Sequence, residues 1–340
     1  MFEQFLHQVV GGGTLSAQEA YQVANMLLRD SISDVQASAF LTAMRVRREN
    51  EEELFGFVQA LQEHTLTVKT DLELIDTCGT GGDGHSTFNI STATALVVAA
   101  CGVPVAKHGN RAVTSRVGSA DVLETLGVRI DLKPDEALSL LEKVGITFLF
   151  APYYHPIMKQ VSSLRKSMGI ATIFNFLGPL INPFPLTYQV MGVADQNIQG
   201  TIARALAKLG RKRALVVHAA NGMDEISPVG QTLVYDVNAQ EINTYYINPL
   251  DYGITPGPLD QIHGANTEVN ARIIMQVLEG QPGACREAVL LNSAAALVTA
   301  GKTAGIADGL ALAGENIDSG KALNTLRNMI SYSRDGVTLC

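Results

Sequence analysis

The stretch 76–92 combines glycines, hydroxyl side chains and the start of a helix, and these features together could bind a phosphate group. Its glycines stand at positions 79, 81, 82 and 84. Glycine takes positive φ without strain and carries no Cβ, so successive backbone N–H groups can converge on an anion. The apolar segment 93–100 predicts a buried helix whose positive dipole end would face that anion. Asn89, Ser91 or Thr92 could cap this helix.

Two common nucleotide motifs do not fit this stretch. The glycines at 79, 81 and 84 satisfy the spacing G-x-G-x-x-G, but the segment 101–106 supplies no acidic residue to bind a ribose. The Lys-Ser/Thr ending of a nucleoside-triphosphate loop is also absent from the stretch. We therefore expect phosphate binding of another kind, and a glycine turn with only a structural role is the alternative.

A second polar group follows the predicted strand 103–107, at the strand end where open α/β sheets bind ligands. Lys107 could place a point charge on a phosphate, and Asn110 could donate and accept hydrogen bonds with a flat polar substrate. His108 is equally compatible with a functional role and with that of a hydrogen-bonded turn histidine. Hydroxyl groups follow at Thr114, Ser115 and Ser119, and Ser119 is placed to cap a helix.

Two further positions carry charges that could act on a substrate. Asp224 and Glu225 follow a predicted strand at 214–217 and offer the hard oxygen ligands that Mg²⁺ takes together with phosphate oxygens and water. Carboxylates that are merely solvated in a turn are the alternative. Arg165 could bind a substrate carboxylate through two parallel hydrogen bonds, although an ordinary surface arginine is the commoner case.

The elements that must position these residues are short strands alternating with helices from residue 72 onward. This alternation predicts a largely parallel sheet. The predicted strands are 72–75, 103–107, 128–130, 147–150, 188–193, 214–217, 233–235 and 242–247. The predicted helices include 120–126, 134–143, 198–209, 268–279, 284–300 and 319–332.

The N-terminal part of the chain, 1–66, is predicted to be wholly helical. Three capping boxes mark helix starts there, and apolar residues follow each at helical spacing. The boxes pair Ser16 with Glu19, Ser33 with Gln36, and Asn50 with Glu53. Helices this short bury little surface alone, so we expect them to pack on a later segment or on a second subunit.

Composition limits the classes of function. The net charge of −8 and the absence of a basic tract argue against nonspecific nucleic-acid binding. The four cysteines show no metal-ligand spacing, which favours a reducing compartment. No apolar run approaches the ~18 residues of a membrane span. We therefore expect a cytoplasmic protein that binds neither nucleic acid nor membrane.

Five segments together closely resemble the anthranilate phosphoribosyltransferases of tryptophan biosynthesis, and the resemblance spans the full chain. The segments are 76–84 (DTCGTGGDG), 89–92 (NIST), 107–111 (KHGNR), 118–121 (GSAD) and 223–225 (MDE). The resemblance implies transfer of the 5-phosphoribosyl group from phosphoribosyl diphosphate to the amino group of anthranilate, with release of diphosphate. It also implies Mg²⁺ as cofactor, and α/β architecture with a mostly parallel central sheet and a small N-terminal all-helical domain.

The resemblance also implies roles for particular residues. Contacts to phosphoribosyl diphosphate would come from Gly79, Gly82, Asp83, Thr87, Asn89, Ile90, Ser91, Thr92, Lys107 and Ser119. Contacts to anthranilate would come from Gly79, His108, Asn110, His155, Arg165 and Pro179. The metal ligands would be Ser91, Asp224 and Glu225. The segment 112–117 is poorer in serine than is usual in this family.

The implied domains are a helical domain at 1–70, joined by part of 156–185 and forming a homodimer, and a catalytic α/β domain at 71–340. The chemistry needs no covalent nucleophile, because the amine of anthranilate is already nucleophilic. We therefore assign no general base, and expect Lys107, Asn110 and Arg165 to supply charge and orientation. Pyrimidine nucleoside phosphorylases share the fold but do not need the carboxylate pair. A nucleic-acid-binding relative without catalysis is the rival from another class.

Overall fold

A computed structural model describes residues 1–29, 31–112 and 116–335 of the chain. Four helices form its N-terminal part, as the sequence predicts. They are α1 (Phe2–Val10), α2 (Ala17–Leu28), α3 (Asp34–Arg47) and α4 (Glu51–Gln62).

The predicted caps start three of these helices. Ser16 with Glu19, and Asn50 with Glu53, form both hydrogen bonds of the capping box, which satisfies two N–H groups at each helix start. Ser33 accepts the N–H of the third helical residue at 3.3 Å, without the reciprocal bond. The sequence therefore predicts all three helix starts correctly, but the full capping box predicted at Ser33 does not form.

Strands and helices alternate in the rest of the chain. The strands are β1 (Leu74–Gly79), β2 (Val105–Gly109), β3 (Ile146–Phe150), β4 (Leu186–Gly192), β5 (Arg213–Ala219), β6 (Thr232–Asn238) and β7 (Glu241–Ile247). The helices are α5 (Ile90–Ala100), α6 (Ser119–Thr125), α7 (Pro134–Val144), α8 (Ala151–Tyr154), α9 (Ser162–Met168), α10 (Phe174–Leu177), α11 (Gln196–Lys208), α12 (Thr267–Leu278), α13 (Ala284–Thr299), α14 (Ile306–Asp318) and α15 (Lys321–Asp335).

The strands form one seven-stranded sheet in the order β3-β2-β1-β4-β5-β6-β7. The first five strands of this order run parallel to one another. Strand β6 pairs antiparallel with β5, and β7 pairs antiparallel with β6. Parallel strands end at the same edge, so the loops that follow β1, β2 and β5 meet there. The predicted fold class, a small helical domain with a larger α/β domain around a mostly parallel sheet, is confirmed.

Two predictions about individual elements are wrong. The segment 128–130 is no strand: Val128 and Ile130 are buried, but the N–H of Arg129 donates to Ser333 Oγ at 3.1 Å instead of to a neighbouring strand. Helix α14 was not predicted. A Cβ at its Gly309 would lie 2.8 Å from the Cα of Ala294, so close packing on α13 requires a glycine that weakens the helical pattern.

The two faces of the sheet pack against different cores. On β4, Val190 belongs to the core with α5, α12, α13 and α15, whereas Met191 belongs to the core with α1–α4. Successive strand residues point to opposite faces, which accounts for this division. The second core also contains apolar residues of the segment 161–181. Within the described residues, no helix has the length and apolarity needed to span a membrane.

Candidate active site

The glycine loop after β1 closes around the carboxylate of Asp224. The N–H of Gly81 donates to Asp224 Oδ2 at 2.7 Å. Gly81, Gly82 and Gly84 have φ of 68°, 82° and 75°, which confirms the expected positive φ. Gly79 has a different reason to be glycine, because a Cβ there would overlap Asp224 Oδ2.

The loop between β5 and β6 carries Asp224 and Glu225 to the same edge of the sheet. Gly192, at the end of β4, leaves room for the loop, since a Cβ at Gly192 would overlap the carbonyl of Asp224. Burial, together with the nearby charge of Asp83, raises the pKa of Asp224 to about 7. Burial and the charge of Asp224 raise the pKa of Glu225 well above its usual value. The site therefore holds more negative charge than its neighbouring groups balance.

Helix α5 begins at this cluster, but no side chain caps it. Asn89 stands at the N-cap, where its Nδ2 donates to Val117 O and its Oδ1 accepts from Asn270 Nδ2, both at 3.0 Å. The predicted side-chain cap is therefore wrong, because the Asn89 amide has other partners. The backbone N–H of Ser91 donates to Glu225 instead, which brings a carboxylate to the positive end of the helix.

Not every residue predicted to contact phosphoribosyl diphosphate offers a side chain at the surface. The side chain of Ile90 is buried in the core, and its N–H donates to Phe88 O at 2.7 Å. Thr92 is fully buried, and its hydroxyl has no hydrogen-bond partner among the described residues. Thr87 lies in the loop and pairs with His263 in an isolated antiparallel bridge.

Lys107 lies in the middle of β2, and its side chain reaches the start of α5. Its ammonium donates to Thr77 O at 2.7 Å and to Ser91 Oγ at 3.3 Å, and the residue is 3% exposed. Its positive charge acts on two carboxyl groups, lowering the pKa of Asp76 and of Glu225 against the effect of their burial. Lys107 thus places a buried positive charge at the start of α5, near these carboxyl groups.

Asp76 is a buried acid to which the sequence analysis gave no role. Its Oδ2 accepts from Asn182 Nδ2 at 3.0 Å and from the N–H of His108 at 3.4 Å. Burial raises the pKa of Asp76 to about 6, although the charge of Lys107 opposes the rise. Asp76 therefore links β1 to the end of β2 behind the site.

His108 and His155 form a buried pair in which their Nε2 atoms lie 3.1 Å apart. His108 Nδ1 lies 3.1 Å from Gly178 O, and His155 Nδ1 lies 3.0 Å from Thr65 Oγ1. Because a carbonyl only accepts, the neutral ring of His108 carries its proton on Nδ1, which leaves its Nε2 as an acceptor facing His155 Nε2. Burial lowers the pKa of His108 to about 4 and of His155 to about 3, so both rings are neutral. His108 lies in β2 rather than in a turn, and both its ring nitrogens have partners, so these contacts agree with a hydrogen-bonded structural histidine as well as with a functional one.

Asn110, Pro179 and Ser119 are further predicted site residues, and each has hydrogen bonds within the chain. Asn110 is exposed, and its carbonyl accepts from the hydroxyl of Ser119 at 3.4 Å. Pro179 is buried, and its carbonyl accepts from Gln189 Nε2 at 2.6 Å. Ser119 is the first residue of α6 rather than its cap, which is Gly118. Thr114 and Ser115 lie outside the described residues.

Arg165 is a partly buried cation on α9. Its guanidinium lies 5.8 Å from the ring centroid of Phe174, and burial lowers its pKa. No carboxylate of the described chain forms an ion pair with it, unlike Arg45 or Arg47. A desolvated guanidinium without a counter-ion fits a site for a substrate carboxylate better than an ordinary surface helix.

Cys78 is the cysteine within the glycine-rich stretch, and it is not a nucleophile. The thiol is buried and donates to Val190 O at 3.7 Å, and burial raises its pKa far above the usual value. Cys101 and Cys285 are also free thiols, and Cys340 lies outside the described residues.

The residues around the carboxylates fit a divalent cation that is completed by substrate. The described part of the chain contains no group of three or more His, Cys, Asp or Glu side chains that could hold a metal ion. Asp224, Glu225 and the Ser91 hydroxyl nevertheless offer hard oxygen atoms, and Oδ2 of Asp83 is buried without a partner. Magnesium commonly takes one or two carboxylates and fills its other positions with phosphate oxygens and water.

Sequence reasoning missed several residues that support the site. Thr65, Asn270 and Asn292 each hydrogen-bond to a predicted site residue or to its loop, and Asn182 hydrogen-bonds to the buried acid Asp76. Of these residues, only Asn292 could have been singled out from the sequence, because it is an isolated amide within the apolar run of α13.

Comparison with known proteins matches both parts of the chain to one family. Residues 71–323 match the glycosyl transferase family α/β domain, and residues 3–65 match the helical bundle domain of the same family. An anthranilate phosphoribosyltransferase from Syntrophomonas wolfei is 57% identical over 340 residues, covering 100% of both chains. One from Thermomicrobium roseum is 47% identical, covering 97% of this chain and 96% of its own.

Solved structures agree with these relatives. The anthranilate phosphoribosyltransferase of Thermus thermophilus superposes with a TM-score of 0.90 at 38% identity, covering 97% of this chain and 99% of its own. The enzyme of Saccharomyces cerevisiae, in complex with phosphoribosyl diphosphate and Mg, superposes with a TM-score of 0.90 at 28% identity, covering 98% and 97%. The chain therefore belongs to the anthranilate phosphoribosyltransferase family.

Proposed function

We propose that the chain transfers the 5-phosphoribosyl group from phosphoribosyl diphosphate to the amino group of anthranilate and releases diphosphate. One observation carries this proposal: the glycine loop, the start of α5 and the acids Asp224 and Glu225 converge at one edge of the sheet. Backbone N–H groups that can bind phosphate thus lie beside oxygen atoms that can bind a metal. Family membership supplies the identity of the two substrates.

The donor half of the site is the loop with the helix start. We propose contacts to phosphoribosyl diphosphate from Gly79, Gly82, Asp83, Thr87, Asn89, Ile90, Ser91, Thr92, Lys107 and Ser119. For Ile90 and Thr92 the contact would be indirect or through the backbone, since both side chains are buried. The cation of Lys107 and the loop N–H groups would stabilise the charge that grows on the leaving diphosphate.

The metal ligands in this proposal are Ser91, Asp224 and Glu225. Their support is that buried carboxylates meet here: burial first, and then the charge of a neighbouring carboxylate, raises the pKa of Asp224 and of Glu225, and a bound cation would oppose both effects. Magnesium, when bound, neutralises the charge of diphosphate and orients it. Gly81 would hold Asp224 in place through its hydrogen bond during this step.

The acceptor half of the site would bind anthranilate through Gly79, His108, Asn110, His155, Arg165 and Pro179. The unpaired guanidinium of Arg165 would hold the carboxylate of anthranilate, and the neutral histidine pair would line its approach. The amine attacks the anomeric carbon of the ribose, so a C–N bond forms while the C–O bond to diphosphate breaks. The amine loses one proton to solvent or to the leaving diphosphate, and no side chain is assigned as general base.

We further propose that the helical domain, 1–70 with part of 156–185, forms the contact of a homodimer, and that 71–340 is the catalytic domain. Helix α3 supports the dimer, because Val35, Ala39, Thr42 and Val46 are exposed along one side of it. Val35 is 80% and Val46 81% exposed. Sedimentation of the Val35→Glu/Val46→Glu variant tests this: a monomer is expected, and an unchanged dimer would contradict it.

The free thiols of Cys78, Cys101 and Cys285 support a cytoplasmic location, since thiols persist in a reducing compartment.

The activity is tested by following anthranilate fluorescence with phosphoribosyl diphosphate, with and without Mg²⁺. We expect loss of fluorescence that requires both the donor and Mg²⁺. If phosphoribosyl diphosphate raises the melting temperature but anthranilate is not consumed, the donor site stands and the acceptor is wrong. If neither occurs, the proposed function is wrong.

A further inference from the structure

Two buried asparagines lie behind the donor site, one on α12 and one on α13. Asn270 and Asn292 are each 2% exposed, and neither belongs to a segment that resembles the family motifs. A buried amide must find hydrogen-bond partners, because an unpaired buried amide destabilises the folded state. The partners of these two amides are the glycine loop and the carboxylate loop.

Asn270 sets the orientation of the Asn89 amide. The N–H of Ala265 donates to Asn270 Oδ1 at 2.9 Å, which leaves Asn270 Nδ2 to donate to Asn89 Oδ1 at 3.0 Å. The Nδ2 of Asn89 must then point toward Val117 O, to which it donates a hydrogen bond of 3.0 Å. Ala265 offers only a donor and Val117 only an acceptor in these bonds, so no amide of this chain of hydrogen bonds can be flipped.

This orientation favours binding of an anion. With Oδ1 held by Asn270 and one N–H of Nδ2 bonded to Val117 O, the Asn89 amide keeps one N–H, rather than a carbonyl, for a ligand at the helix start. The segment beside Ala265 also holds the loop itself, since the N–H of Gly264 donates to Ser86 O at 2.9 Å and Phe88 donates to Ile262 O at 3.1 Å. Asn270 thus bonds directly to Asn89 and, through the N–H of Ala265, to the segment that holds the loop.

Asn292 holds the other loop. Its Oδ1 accepts the N–H of Ile226 at 3.0 Å, and its Nδ2 donates to Ile226 O at 2.8 Å and to Ala288 O at 2.9 Å. Both polar atoms of the Ile226 backbone are therefore fixed by one side chain. Since Ile226 directly follows Glu225, this contact fixes the backbone from which the two proposed carboxylate ligands, Asp224 and Glu225, project.

We infer that Asn270 and Asn292 are positioning residues for separate halves of the donor site: Asn270 for the diphosphate contacts of the glycine loop, and Asn292 for the metal-binding carboxylates. The inference rests on the proposed function. It predicts that replacing Asn270 and replacing Asn292 have different effects on ligand binding, because each asparagine acts on a different loop.

The test is isothermal titration of phosphoribosyl diphosphate into wild type and three variants at pH 8, with and without Mg²⁺. Asn270→Asp and Asn292→Asp keep the accepting oxygen and remove the donating N–H. Asn316→Asp is the matched control, because Asn316 is 3% exposed and donates only to Leu312 O of its own helix. Melting temperatures of the free proteins report folding.

We expect Asn270→Asp to weaken binding about tenfold whether or not Mg²⁺ is present, as loss of a hydrogen bond to a charged ligand does. Without Mg²⁺, Asn292→Asp should bind phosphoribosyl diphosphate with the affinity of wild type. The factor by which Mg²⁺ increases that affinity should be about tenfold smaller in Asn292→Asp than in wild type. Asn316→Asp should stay within twofold of wild type under both conditions. Should Asn270→Asp fail to fold, Asn270→Ser serves in its place with the same expectation.

Folded variants of Asn270 and Asn292 that both bind within twofold of wild type would overturn the inference. So would losses that are equal with and without Mg²⁺ in both variants, because the two halves would then not be separate. Absence of binding in wild type would instead contradict the proposed function, so the two failures are distinguishable.

Discussion

Gly79 and Asp224 are in such close contact that residue 79 has no room for a side chain. A Cβ there would overlap Asp224 Oδ2 and lie 2.9 Å from its Cγ. The same oxygen accepts the N–H of Gly81 at 2.7 Å. The first glycine of the stretch thus serves close approach, whereas Gly81, Gly82 and Gly84 serve positive φ. The glycine loop is shaped around a carboxylate that follows it by well over a hundred residues in the chain.

Gly79→Ala should displace Asp224 and lower turnover at least about tenfold, since a shift of about 1 Å in a positioned group costs this much or more. The fall should be larger at limiting Mg²⁺. Gly314→Ala is the control, because its nearest neighbours would be 4.0 Å from the new Cβ within helix α14. This control should keep full activity and stabilise the fold by about 0.5–1 kcal/mol. Equal activity of the two variants would contradict the role of Gly79.

Asp224→Asn should change how the stability of the ligand-free protein depends on pH. The pKa of Asp224 is raised to about 7 in the folded state, so the folded state holds this proton more tightly than the unfolded state. Stability is therefore greatest below the unfolded pKa of about 4 and falls as pH rises toward 7. Asp224→Asn should remove that fall, so the variant should melt higher than wild type at pH 8. Parallel melting curves across pH 4–8 would contradict this account.

The histidine pair should stay neutral in acid that protonates ordinary histidines. Burial lowers the pKa of His108 to about 4, so the folded state resists a proton that the unfolded state takes up near pH 6.5. This contribution to stability is present above pH 6.5 and is lost as pH falls toward 4. Nitrogen-15 spectra should show neutral His108 with its proton on Nδ1 at pH 6. A charged ring at that pH would contradict the hydrogen-bond assignment.

Arg165→Ala should raise the KM for anthranilate at least about tenfold, with a much smaller effect on the KM for phosphoribosyl diphosphate. The reason is loss of a paired hydrogen bond between a guanidinium and a carboxylate, which contributes about 1.5–3 kcal/mol. Lys166→Ala is the control, because Lys166 is the exposed neighbouring cation on the same helix. If both variants raise the KM equally, the effect is one of general charge and Arg165 has no specific role.

The fold could be predicted from the sequence wherever local sequence patterns and long-range packing favour the same element. Capping residues such as Ser16 and Asn50 act within one turn, so their effect is visible in the sequence. The errors occur where distant residues decide. Ser333 takes the N–H that would have made 128–130 a strand, and Ala294 requires the glycine that obscured α14.

The candidate site divides in the same way. Glycines, Lys107 and the pair Asp224–Glu225 could be recognised because their types and spacing point to anion and metal chemistry. The supporting residues could not, because Asn270 reaches Asn89 across 181 positions and Asn292 reaches Ile226 across 66. Such contacts depend on how α12 and α13 pack on the sheet. Likewise, the partners of His108 and His155 became visible only when β2, Thr65 and the segment at Gly178 were placed together.

The most direct test of the account is the Mg²⁺ dependence of turnover in wild type and in the Asp224→Ala/Glu225→Ala variant, measured by anthranilate fluorescence. The account predicts that the double variant loses most of its turnover and most of its response to Mg²⁺, while the KM for anthranilate changes little. A double variant whose turnover responds to Mg²⁺ as wild type does would contradict the assignment of these carboxylates, and with it the proposed donor site.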